Sequence, residues 1–89
     1  MNNKVTENQN IENAVVFVLK YTGMNSTNIV TGYLGIYSTL PRARRVMAGI
    51  VSDLTEKGFV LTMTDENGHI LMNESKEERR LYIEQDKIQ

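Results

Sequence analysis

The sequence predicts an α+β fold. Three helical stretches come first, then a β-hairpin, then a short terminal helix or strand. Three observations predict it. Between Leu40 and Leu54, apolar residues recur at steps of three and four, the period of a helix with one buried face. After Gly58 that period gives way to a run of strand formers, Phe59-Val60-Leu61-Thr62-Met63-Thr64. Asp65-Glu66-Asn67-Gly68 then interrupts the run, and Asn67-Gly68 suits the left-handed positions of a hairpin turn. The 89 residues support a single domain with a modest core.

Residues 1–5 read as a frayed polar arm. Thr6 and Gln9 have the spacing of a capping box, and a first helix is expected over residues 7–22. Ile11, Ala14, Val15, Val18 and Thr22 make its face. The density of valine there also permits a strand. A second, shorter helix starts at Asn25 or Ser26, with Ile29, Val30, Tyr33 and Leu34 on its apolar side. Gly32 weakens it by roughly 1 kcal/mol relative to alanine, and Gly35 stops it.

The third helix organises the chain. Ser38 or Thr39 caps it, and Pro41 falls in the first turn, where a missing N–H costs little. Leu40, Ala43, Met47, Ile50 and Leu54 form its buried stripe, and Gly58 is its expected C′ residue. The hairpin over residues 59–72 follows, with either a two-residue or a four-residue loop. Ser75 and Glu78 repeat the capping-box spacing, so residues 74–89 read as a terminal arm. If helical, the arm is a clamp or dimer element; Leu81-Tyr82-Ile83 also permits a third short strand.

The start of the third helix is chemically odd. Arg42, Arg44 and Arg45 sit where the helix dipole favours anions, and each exposed cation there costs about 0.3–1 kcal/mol. Two compensations are available. One is an anionic ligand such as phosphate. The other is a carboxylate on a neighbouring element.

Ten basic residues against 11 acidic ones give a formal charge of -1, so any nucleic-acid contact has to be a local patch. The chain has no cysteine, which excludes a disulfide scaffold, a thiol nucleophile and thiolate metal sites. The N-terminal residues lack a signal-peptide pattern, and a cytoplasmic location is expected. His69 is the lone histidine and has no partner cluster for a metal. Asp65, Glu66 and Asn67 lack calcium-loop spacing, and the glycines form no phosphate loop. No catalytic residue, cofactor or metal is expected, and the chain does not read as an enzyme.

The order of helix, helix, glycine corner, longer helix and hairpin resembles a winged helix-turn-helix domain of bacterial or phage type. The residues that carry the resemblance are Leu34-Gly35-Ile36, the helix over residues 38–54, and Thr55-Glu56-Lys57-Gly58-Phe59-Val60. It implies a three-helix core with a C-terminal β-hairpin as wing, and residues 1–89 as one winged-helix-like domain. It places Ser38, Thr39, Arg42, Arg44 and Arg45 against double-stranded DNA, with the helix leading by its N-terminal half into a major groove. The function it implies is sequence-specific DNA binding and transcriptional regulation. Homodimerisation through the first helix or the C-terminal arm would go with it. The tip Asp65-Glu66 is acidic, which phosphate repels. The rival is therefore a winged-helix adaptor or inhibitor that binds a protein partner without DNA.

Overall fold

The computed structural model describes residues 14–88. In chain order the elements are β1 (Val15–Met24), β2 (Ile29–Tyr37), α1 (Leu40–Glu56), β3 (Val60–Asp65), β4 (Gly68–Met72) and β5 (Glu78–Lys87). The five strands form one antiparallel sheet in the order β2-β1-β5-β4-β3. Helix α1 lies on one face of it.

This overturns the winged-helix fold. Among the described residues there is one helix, and its neighbours on both sides are strands. The part of the expected first helix that falls on residues 15–22 lies in β1. Residues 1–13, which include the arm and the Thr6–Gln9 box, lie outside the described residues. The expected second helix is β2. The expected terminal arm is β5, which lies between β1 and β4.

The physical reason is visible in the pairings. β1 carries Val15, Val16, Phe17, Val18, Tyr21 and Thr22, residues whose branched or aromatic side chains fit a pleated surface. Its apolar run is nearly continuous, and as an inner strand between β2 and β5 it has no exposed residue. Such a run also satisfies a three-four spacing, so periodicity alone did not separate the two states. β5 alternates Arg79, Leu81 and Ile83 on one side with Arg80, Tyr82 and Glu84 on the other.

Register assigns the faces. One row across the sheet is Gly32, Tyr21, Leu81, His69 and Thr64, and a second runs Gly35, Leu19, Ile83. These rows face α1. Leu19, Met47, Phe59, Leu71 and Leu81 are the buried cluster, and Tyr21, Tyr37, Val46, Ile50, Val51, Leu54 and Ile83 pack around it. Glycine on the covered side of β2 makes room for tyrosine. The Tyr37 ring stands where a Gly35 side chain would begin, and the Tyr21 ring lies against Gly32.

The helix itself ends as its chemistry requires. The Thr39 hydroxyl accepts the Arg42 N–H at 3.4 Å, a long cap bond. At the other end Gly58 takes φ 97°, and its N–H donates to the Thr55 carbonyl. The Phe59 N–H donates to the Leu54 carbonyl at 3.0 Å. Together they form a Schellman motif, and Phe59 joins Leu54 in the core. The hairpin turn differs by one residue from expectation. Asp65 pairs with Gly68, so Glu66 and Asn67 form the turn. Among described residues, positive φ occurs only at Gly58 and Lys76, so Asn67-Gly68 is not left-handed.

Candidate functional site

Ser38 and Thr39 lie in the exposed bend before α1, and Arg42 and Arg45 are exposed on its first turns. Arg44 points elsewhere. Its Nε donates to Asn67 Oδ1 at 3.0 Å, and its Nη2 lies 3.5 Å from Glu66 Oε2. Both acceptors sit in the β3–β4 turn. The carboxylate on a neighbouring element is therefore present, and it belongs to the acidic tip that the resemblance made a wing. The tip also extends the β4–β5 pairing: the Asn67 carbonyl accepts the Ile83 N–H at 2.8 Å.

That geometry overturns DNA binding through a basic recognition helix, and transcriptional regulation with it. A helix-turn-helix presents its second helix by means of a first helix that crosses the DNA backbone. Here a strand precedes α1. The dimer surfaces fall with the fold. No helix stands over residues 15–24, and β5 is a strand of the sheet, paired along its length with β1 and over Glu78–Tyr82 with β4. The adaptor or inhibitor built on the same winged-helix frame falls for the same reason.

The surface that sequence reasoning missed is the sheet face opposite α1. Register places Thr31, Thr22, Arg80, Ile70 and Met63 in one row across it. The adjacent row is Ile29, Met24, Glu78, Met72 and Val60. A concavity of about 580 Å³ lies on these rows, with Met24, Ile29, Met63, Ile70 and Tyr82 supplying its apolar lining. Thr22, Asp65, Asn67, His69 and Arg80 add polar groups. The signal in the sequence was the alternation of Val16, Val18, Lys20, Thr22 and Met24 with Phe17, Leu19, Tyr21 and Gly23. It was masked because both sets contain apolar residues.

The cations Lys20 and Arg80 on this face are each paired with a carboxylate. Lys20 Nζ lies 2.6 Å from Glu84 Oε1, and 5.6 Å from the Tyr33 ring centroid. The hydrogen bond that Lys20 donates to Glu84 holds the Lys20 pKa above its ordinary value, and partial desolvation opposes it. Arg80 Nε lies 2.6 Å from Glu78 Oε2. On the helix side, Arg79 stacks over the Phe59 ring at 5.0 Å. His69 Nδ1 and Thr64 Oγ1 share a hydrogen bond of 2.6 Å across the β3–β4 pair. Among the described residues no group of three metal-ligating side chains converges, and no helix is long and apolar enough to cross a membrane. Comparisons with family models, curated proteins and solved structures found no match.

Proposed function

We propose that this domain is a binding module that holds an amphipathic ligand on the open sheet face and does not transform it. The observation that carries this reading is the concavity itself, about 580 Å³ in volume and lined by Met24, Ile29, Met63, Ile70 and Tyr82. That volume lies within the ~300–1,000 Å³ of small-molecule sites, and a few convergent polar groups among apolar ones are their usual lining. Methionine supports it further. Its unbranched, polarisable side chain adapts to a ligand's shape. The apolar body of the ligand rests on Met24, Met63 and Ile70, and its polar end meets Thr22 and Arg80. Binding without turnover fits the pairing of Lys20 with Glu84, which holds this lysine of the open face as a charged partner of a carboxylate. A cysteine-free chain is compatible with a cytoplasmic location.

Titration with the apolar anionic dye anilinonaphthalene sulfonate tests this. The folded protein is expected to give a saturable, one-site rise in fluorescence with no change in far-UV circular dichroism. Met63→Glu, at a half-exposed position, is expected to abolish the rise and leave the fold intact. No rise with the native protein, or a rise that Met63→Glu leaves unchanged, overturns the reading.

A further inference from the structure

The two edges of the sheet are built differently. β3 is six residues long, has a register shift between Leu61 and Met63, and runs into Asp65 and Glu66. Short length, a bulge and charge are the usual devices that stop an edge from pairing with another chain. β2 is nine residues long, IVTGYLGIY, and carries no charged residue. Its one protective device is the register shift that leaves Leu34 unpaired with β1. Its large side chains stand in solvent: Ile29 is 70%, Tyr33 71% and Ile36 64% exposed, with Val30 and Leu34 also exposed.

We propose that the outer edge of β2 pairs antiparallel with β2 of a second copy of this chain, joining two sheets in a closed two-fold dimer. Charge selects this occupant. A two-fold interface sets the same patch against itself, so a charge near its axis meets its own like. β2 has none to repel its copy. The pattern of exposure agrees. Ile29, Tyr33 and Ile36 lie opposite Met24, Lys20 and Val18 and so share one face of the edge strand, where a second copy's strand sets a matching apolar row beside them. Tyr33 is the anchor, a large amphipathic ring at the middle of the strand and of a type enriched among interface hot spots. Two-fold pairing consumes the edge on each copy, so assembly stops at two.

Ile29 belongs to both this edge and the ligand concavity, but Tyr33 and Ile36 do not line that concavity, so variants at these two positions separate the proposals. Sedimentation equilibrium of the full chain over a wide concentration range tests it. The mass is expected to rise to that of two chains and no further. The double variant Tyr33→Glu/Ile36→Glu is expected to weaken association by on the order of thirtyfold or more, with unchanged far-UV circular dichroism. Tyr33→Lys/Ile36→Lys is expected to do the same. An equimolar mixture of the two is expected to recover the dimer, since opposite charges then face each other. Three results overturn the proposal. One is a monomer at every concentration, as when residues 1–13 of the same chain cover the edge. Another is open-ended polymer. The last is a dimer that neither variant weakens.

Discussion

The same five strands present two faces, and the faces obey different rules. Toward α1, Leu19, Leu71 and Leu81 are buried against Met47 and Phe59. Away from it, Ile29, Tyr33, Ile36, Val60 and Met63 are all more than half exposed. Successive side chains of one strand point to opposite faces, because they alternate across a pleated sheet, and of those on the open face Val18 is buried. The covered face supplies the apolar burial that folding needs. The open face carries apolar residues whose exposure folding does not require. Contiguous exposed apolar surface of this kind marks interaction sites.

Substitutions on the two faces sharpen that contrast. Leu19→Ala on the covered face leaves a cavity beneath α1 and is expected to cost about 2–5 kcal/mol. Urea unfolding followed by far-UV circular dichroism measures it; a loss under about 1 kcal/mol would break the assignment of β1 as the centre of the core. Arg44→Ala removes the tie from α1 to the β3–β4 turn, and an expected loss of about 0.5–1.5 kcal/mol follows from the net value of such a bond. Arg42→Glu should do the reverse. It replaces an exposed cation at the helix start by an anion and is expected to stabilise the fold by about 0.3–1 kcal/mol. If both substitutions destabilised equally, the two arginines would not differ as described.

Smaller effects test the open face. Val60→Thr and Met63→Thr are each expected to change unfolding free energy by under about 0.5 kcal/mol, as surface substitutions do. A loss like that of Leu19→Ala would mean that this face is covered in the folded chain. The smallest effect concerns Lys20 and Glu84. The folded-state pKa of Lys20 is raised above 10.5 by Glu84. Its contribution is therefore present throughout neutral pH and is lost as pH rises beyond that value. Thermal melts of the native chain and of Lys20→Met are expected to differ slightly at neutral pH and to converge in strong alkali. Divergence there would reverse the sign of the coupling.

Part of this architecture was legible before any coordinates. Thr39, Pro41 and Gly58 marked the ends of α1 because caps are local chemistry, decided within a few residues. Leu40, Ala43, Met47, Ile50 and Leu54 marked its buried stripe for the same reason. The run after Gly58 broke at Asp65-Glu66-Asn67-Gly68, and β3 and β4 meet there. β1, β2 and β5 were misread or left open. Their apolar spacing fits a helix as well as a strand when a run is nearly continuous. Only the partners across the sheet, such as Leu19 between Gly35 and Ile83, separate the two states.

The site followed the same division. Arg42, Arg44 and Arg45 were visible as a cluster, and a neighbouring carboxylate was one of the two compensations open to it. Tertiary structure selected Glu66, with Asn67 beside it, for Arg44 alone. The sequence by itself determined a capped amphipathic helix, a turn and a cysteine-free chain, because each rests on residues near one another. The strand order β2-β1-β5-β4-β3, the open methionine-lined face and the uncharged edge of β2 were decided by the sheet. Pairing between residues as distant as Val15 and Lys87 creates those surfaces, and no local pattern contains it.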